Sequence, residues 1–280
     1  MFKNIFKSIG WFVFYIMASV IGTIIASVVC LLASGPGILD NMEDPTAFEQ
    51  SVTDSVMSAA IPGLLIAAIL CIIVFVIYKS IRKHPLDISK VEWKKLLFFS
   101  GVGGILNAVF SFGLGALSTF FPETLITDLE EATSLALDGQ PFWLLLLCTG
   151  ILVPIMEEII FRYGIHGTIA RSNVVVAYIV SSLIFGIMHG NVIQGAYTSI
   201  LGFILAYVYT KTNNLWYPIV IHMTINSTSV IATSFSSEVF ALLITFGISL
   251  IVSVILFATN KDIRYIFRKE NITEKERTAV

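Results

Sequence analysis

Long apolar runs separated by short polar stretches dominate the chain. A membrane-spanning helix needs about 20 mostly apolar residues, and the chain offers this pattern repeatedly. Eight spanning helices are predicted, at about residues 9–33, 57–78, 96–117, 141 to between 162 and 171, 174–189, 193–210, 216–233 and 239–258. The pattern predicts an all-α, polytopic membrane protein. We expect one transmembrane domain over residues 1–260, with a motif core over 141–235, and a charged cytoplasmic tail over 261–280.

The composition supports the same class of protein. Of the 280 residues, 56% are hydrophobic and only 13% are charged, against about 25% charged residues in globular domains. The three cysteines, Cys30, Cys71 and Cys148, lie in apolar runs without a CxxC spacing, so neither a disulfide framework nor a zinc knuckle is indicated. The expected surroundings are a lipid bilayer, and no nucleic-acid partner is expected.

The distribution of charge predicts an orientation. The stretches 34–55 and 119–140 read as loops that carry acidic residues and neither Lys nor Arg. Basic residues collect on the cytoplasmic flanks of membrane spans. With eight spans and both termini in the cytoplasm, all 17 basic residues fall on the inner side or in the inner part of a span.

Two adjacent carboxylates and an arginine interrupt the fourth predicted span. Ionisable groups at that depth cost about 2.5–3.5 kcal/mol each by insertion scales, so they are rare and usually functional. Glu158 and Arg162 are four residues apart and share a helix face, which favours an ion pair. Glu157 is rotated about 100° away and has no cation at that spacing. Glu158 therefore reads as structural, and Glu157 as free for chemistry.

Two later spans carry polar residues of the same kind. The fifth holds Phe185 and His189, and the seventh holds His222 and Asn226, each pair four residues apart. At 1.5 Å per residue, Glu157 and His189 lie roughly 20 Å above the inner ends of their helices, and His222 and Asn226 roughly 10 and 16 Å. Helix tilt can absorb this difference, so one shared site is compatible with the sequence.

These motifs resemble a known family. Glu157-Glu158-x-x-x-Arg162, Phe185-x-x-x-His189 and His222-x-x-x-Asn226 are similar to the motifs of the CPBP, or Abi, intramembrane proteases. That family includes the type II CAAX prenyl endopeptidases and bacteriocin-processing and self-immunity proteases. The resemblance covers about a third of the chain. It implies an eight-helix fold in a bacterial cell membrane, in which Glu157 and His189 activate water while His222 and Asn226 stabilise the oxyanion.

The chemistry of these side chains agrees with those roles. Peptide hydrolysis needs a base for water, a proton donor for the leaving amine and donors for the oxyanion. Carboxylate, imidazole and amide groups supply all three. Glu158, Arg162 and Phe185 are expected to support the site, and the substrate is expected to be a membrane-embedded or membrane-associated peptide or protein.

A zinc-dependent protease is the first alternative. Glu157, His189 and His222 make a His₂Glu set, the ligand type of catalytic zinc, although no H-E-x-x-H motif is present. A proton-coupled transporter is the second, since intramembrane Glu, His and Arg also build proton relays. A non-catalytic scaffold or immunity factor is the third. His166 and His84 are expected at the membrane interface, and Asn107 in a helix contact or lining a cavity.

Overall fold

The computed structural model describes residues 2–82, 91–129 and 139–268. Over these ranges the chain is helical and contains no strand, which confirms the predicted all-α polytopic class. The longer helices are α1 (Phe2–Asp40), α2 (Pro45–Met57), α3 (Ala60–Arg82), α4 (Trp93–Leu117), α5 (Phe142–Ala170), α6 (Val174–Ile187), α7 (Val192–Thr212), α8 (Trp216–Ala232), α9 (Glu238–Thr259) and α10 (Lys261–Arg268).

Each of the eight predicted spans corresponds to a helix. In the described ranges, six helical stretches are long and apolar enough to cross a membrane: α1, α2 together with α3, α4, α5, α7 and α9. Helices α6 and α8 are shorter, with 14 and 17 residues. The chain is therefore a multi-pass membrane protein. The count of eight spans, the cytoplasmic termini and the domain limits stay predictions, and most of the predicted tail lies outside the described residues.

The loop predicted at 34–55 is mostly helical. Helix α1 continues through Pro36 to Asp40, and α2 starts at Pro45 after a capping aspartate. Asp44 accepts hydrogen bonds from the backbone N–H groups of Thr46 (2.9 Å) and Ala47 (3.3 Å). These are two of the N–H groups that the first turn of a helix leaves without a partner. Acidic composition suggested a loop, but a capping residue followed by proline also starts a helix.

Helix α5 occupies the centre of the bundle. Every residue from Met156 to Gly167 is buried, so this part of the helix is enclosed on all sides. Its apolar side chains, including Met156, Ile160 and Phe161, pack in one cluster with residues of α1, α3 and α6. A helix that is buried all round places any polar side chain inside protein rather than in lipid.

Two glycines allow the neighbouring helices to approach closely. A Cβ atom at Gly103 of α4 would lie 2.6 Å from the carbonyl oxygen of Ile221 on α8, and one at Gly186 of α6 would lie 2.4 Å from that of Gly195 on α7. Small residues at such crossings let helix backbones touch in a membrane. Asn107 also joins α4 to α8, because it donates to Thr228 (2.9 Å) and accepts from Ser229 (2.8 Å). The predicted helix contact of Asn107 is confirmed.

Candidate active site

The backbone of α5 departs from regular α-helix on both sides of the two glutamates. Leu146–Leu152 and Ile159–His166 are π-helical, and Val153–Glu158 between them is α-helical. In π-helix the N–H group bonds the carbonyl five residues earlier, as Val153 does with Cys148. Wide turns of this type occur frequently at functional sites.

Pro154 cannot donate a backbone hydrogen bond to the preceding turn of α5. Proline has no N–H, so neither Gly150, four residues earlier, nor Thr149, five residues earlier, receives a hydrogen bond from it. Side chains of α8 replace it: Asn226 Nδ2 donates to the Thr149 oxygen at 3.0 Å, and Ser227 Oγ donates to the Gly150 oxygen at 3.1 Å. These two side-chain bonds fasten α8 to the turn of α5 that precedes the proline.

Glu158 holds a buried network together. Its Oε2 lies 2.9 Å from Nε of Arg162, and both side chains are 0% exposed, so the predicted i,i+4 ion pair is present. Its other oxygen, Oε1, accepts from Nδ1 of His222 at 3.0 Å. The terminal guanidinium nitrogens of Arg162 have no hydrogen-bond acceptor among the described residues. Glu158 is thus the one carboxylate within 4.0 Å of Arg162 in that part of the chain.

Glu157 meets the opposite nitrogen of the same imidazole. Its Oε2 lies 3.6 Å from Nε2 of His222, and the residue is 9% exposed. His222 is itself buried, at 2% exposed, and stands between the two carboxylates. The helix spacing on α5 offered Glu157 no cation, but the tertiary structure supplies an imidazole from α8. The order of contacts is Arg162, Glu158, His222 and Glu157.

Phe185 links the helices that carry the polar residues. Its fully buried ring lies in T-shaped contact with the rings of His222 (5.7 Å between centroids) and His189 (5.0 Å). The guanidinium carbon of Arg162 lies 4.7 Å from the centroid of the same ring, in cation–π geometry. One aromatic ring therefore sets the positions of both histidines relative to the arginine.

His189 lies in the turn directly after α6 and is half-buried. Its Nδ1 lies 2.8 Å from the backbone oxygen of Phe185, so that nitrogen carries the proton and donates. Nε2 is then the ring nitrogen with a free lone pair. No direct ion pair within 4.0 Å joins His189 to a carboxylate in the described ranges. The structure thus joins Glu157, Glu158 and His222 directly, and His189 to them through Phe185.

A zinc centre was the alternative predicted for Glu157, His189 and His222. The described residues hold no group of three or more His, Cys, Asp or Glu side chains that could hold a metal ion. The two ring nitrogens of His222 face two different carboxylates, and Nδ1 of His189 faces a carbonyl. As placed, these three side chains do not form a zinc ligand set.

The structure corrects one residue and adds others. His166 was expected at the interface, but it is 0% exposed and its Nε2 lies 2.8 Å from the Thr210 hydroxyl of α7. His84 lies outside the described residues. Ser227 was missed: Pro154 indicated that α5 lacks one backbone donor, but the sequence does not say which helix supplies a replacement. Tyr15 of α1 was also missed; it is buried, and its ring lies 5.6 Å from that of Phe161 on α5 in T-shaped contact.

Comparisons with known proteins agree with the motifs. The model of the family "Type II CAAX prenyl endopeptidase Rce1-like" matches residues 139–228. A Bacillus subtilis (strain 168) protein named "Putative membrane peptidase YdiL" is 28% identical over 169 residues, which are 60% of this chain and 69% of that protein. A Lactococcus lactis subsp. lactis (strain IL1403) protein named "UPF0177 protein YxdF" is 28% identical over 142 residues, 50% of this chain and 75% of that protein. No solved structure matches the chain significantly.

Proposed function

We propose that the chain, whose residues 139–228 match the model of the Rce1-like family of type II CAAX prenyl endopeptidases, is an intramembrane endopeptidase that hydrolyses a peptide bond of a membrane-associated polypeptide. Glu157 is the general base of this proposal. One observation carries it: a single buried imidazole stands between Glu157 and a second carboxylate that an arginine already neutralises. This arrangement leaves one acid committed to structure and the other facing a group that can exchange a proton.

His222 acts as the proton donor in this proposal. Arg162 supplies the counter-charge of Glu158, and the Glu158 carboxylate accepts the Nδ1 proton of His222. A carboxylate behind an imidazole fixes its tautomer and stabilises the imidazolium form. His222 Nε2–H then points towards Glu157 and the reacting carbonyl. It donates to the oxyanion and gives its Nε2 proton to the leaving amine as the C–N bond breaks; Glu157 then passes the proton it took from water to the neutral Nε2, which restores both groups.

His189 acts as an acceptor. Its Nδ1–H partner is a neutral backbone carbonyl, so no carboxylate at that nitrogen favours the imidazolium. The lone pair on Nε2 can accept a hydrogen bond from the attacking water and orient it towards the carbonyl carbon. The two histidines therefore take opposite roles because their Nδ1 partners differ in charge.

Asn226 contributes the second oxyanion donor. A side-chain amide nitrogen carries two hydrogens, and the Thr149 carbonyl of α5 uses one of them. The other hydrogen remains for the substrate, on a side chain that is half-buried and one helical turn from His222. The substrate in this proposal is a CAAX-type C-terminus or the leader peptide of a secreted peptide such as a bacteriocin, presented at the lipid bilayer.

The test compares the peptide termini generated in membranes. Wild-type protein and Glu157→Gln are produced in a host strain from which the gene for this protein has been deleted. New N- and C-termini of membrane polypeptides are then quantified by mass spectrometry. This readout reports cleavage of any membrane polypeptide, whichever one is the substrate. The expected result is a set of termini present with wild type and absent with Glu157→Gln at equal protein level.

A matched variant controls for loss of charge alone. Glu238→Gln removes an exposed carboxylate at the start of α9 and should leave the product set unchanged. The proposal is wrong if Glu157→Gln generates the same termini at the same rate as wild type. It is also wrong if neither protein changes the termini of any membrane polypeptide.

A further inference from the structure

A cavity lies away from the two glutamates. It has a volume of about 310 Å³ and opens between α1, α3 and the end of α5. The volume is at the lower end of the range for small-molecule sites, enough for a headgroup but not for a whole lipid. Its walls belong to helices outside the motif pairs on α6 and α8.

The charge of the cavity has one sign. Lys7 on the second turn of α1 and Arg171 directly after α5 both line it, and its lining contains no Asp or Glu. Both cations lie at helix ends, where the charge distribution predicts the cytoplasmic side of the membrane. A ligand of opposite charge is therefore expected.

Aromatic side chains build the inner wall. Trp11 makes T-shaped contacts with Tyr78 (5.4 Å between centroids) and Tyr163 (5.9 Å), so three helices meet at one indole. Gly164 makes this packing possible, because a Cβ there would lie 2.6 Å from the Trp11 ring. Aromatic residues with one polar end are typical of the level of lipid headgroups. The wall is thus aromatic and amphipathic, as expected at headgroup depth.

We infer that this cavity binds a phosphate group, with the headgroup of an anionic phospholipid as its source in the membrane. Lys7 and Arg171 neutralise the phosphate through charge-assisted contacts. Val74, 38% exposed on the lining, continues into the exposed apolar face of α3, along which an acyl chain can lie. Basic pockets between transmembrane helices on the cytoplasmic side suit such headgroups.

The first test removes the two charges. Wild type and Lys7→Gln/Arg171→Gln are reconstituted in nanodiscs of phosphatidylcholine with added phosphatidylglycerol, and bound lipids are counted by native mass spectrometry. We expect the wild type to retain phosphatidylglycerol over phosphatidylcholine, and the double variant to lose about 30-fold in that preference. Lys94→Gln/Lys261→Gln, which removes two basic side chains outside the cavity lining, should retain it.

The second test fills the cavity without changing its charge. A Cβ at Gly10 would meet nothing within 4 Å, so Gly10→Leu places a side chain in the open space of the lining. Gly247→Leu is the matched control, because a Cβ at Gly247 of α9 also meets nothing within 4 Å. Gly10→Leu should abolish the retained anionic lipid, and Gly247→Leu should not.

Soluble competitors identify the source of the phosphate. Displacement of the bound lipid by glycerol 3-phosphate but not by glycerol supports a phosphate site open to soluble ligands. Retention of phosphatidylglycerol against both competitors supports the lipid headgroup. Equal retention of phosphatidylglycerol and phosphatidylcholine by wild type overturns the inference. So does an equal preference in the Lys7→Gln/Arg171→Gln and Lys94→Gln/Lys261→Gln proteins.

Discussion

Replacing Glu158 by glutamine should lower the free energy of unfolding, whereas the same change at Glu157 should leave it nearly unchanged. Arg162 is 0% exposed and lies 2.9 Å from Glu158, its one carboxylate partner within 4.0 Å in the described ranges. At that separation an effective dielectric constant near 20 gives an attraction of about 6 kcal/mol. Removing one partner of a buried pair costs about 3–5 kcal/mol, because the other charge is left uncompensated.

The expected loss for Glu158→Gln is at the lower end of that range. Glutamine keeps an oxygen that can accept from His222 Nδ1, so about 3 kcal/mol is expected, or roughly 6–12 °C in unfolding temperature. Glu157 faces His222 at 3.6 Å and has no Lys or Arg within 4.0 Å in the described residues, so Glu157→Gln should change stability by less than about 1 kcal/mol.

The chain carries its own reporters for the measurement. Cys71 and Cys148 are both buried and become reactive only when the bundle opens. A thiol-reactive fluorescent dye therefore follows thermal unfolding of the protein in detergent. The double variant Glu158→Gln/Arg162→Met should recover most of the loss, since it removes the unpaired charge. Equal unfolding temperatures for wild type and Glu158→Gln, or an equal loss in Glu157→Gln, would refute the assigned division of roles.

Two further predictions concern other parts of the chain. Ser227→Ala should lower the free energy of unfolding by about 1–3 kcal/mol, because the Gly150 carbonyl loses its hydroxyl partner on α8. The same thiol assay measures the unfolding temperature, and an unchanged value contradicts a stabilising role for this bond. The capping bonds from the Thr46 side chain and from the backbone N–H groups of Ala47 and Thr46 lower the pKa of Asp44. The cap is therefore complete above the ordinary aspartate pKa and is lost as the pH falls through the lowered value. The protection factors of the amides at the start of α2, which are exchange rates corrected for the intrinsic pH dependence, should fall with acid in wild type and stay flat over that range in Asp44→Asn, which caps without titrating; parallel curves contradict the prediction.

Hydropathy predicted the helices well because the bilayer leaves few alternatives. A spanning segment must satisfy its backbone internally, so each long apolar run became a helix. The 34–55 stretch failed because its acids were taken as evidence for a loop, whereas Asp44 and Pro45 together start a helix. In residues 34–55, the capping of α2 by Asp44 favours helix although the average polarity of the segment suggested a loop.

The site was predictable only in part. The spacing of Glu158 and Arg162 gave their contact, because both lie on one helix. The contacts of His222 with both glutamates, and the hydrogen bond from Asn226 to the Thr149 carbonyl, depend on how α5 and α8 cross. Spacing within one helix does not specify that crossing. His166 was misjudged for the same reason: its partner Thr210 comes from another helix.

The hydrogen bonds from Asn226 and Ser227 to the carbonyls of α5 also have a consequence for the order of assembly. Asn226 and Thr149 are 77 residues apart, so the ribosome delivers the acceptors long before their donors. Until α8 is synthesised, α5 enters the lipid with carbonyl oxygens and ionisable side chains that lack their partners on α8, and such groups are costly in hydrocarbon. A nascent chain halted before residue 226 should therefore be retained by the insertion machinery or degraded by membrane proteases. α5 becomes stably inserted in the bilayer only after α8 has been synthesised.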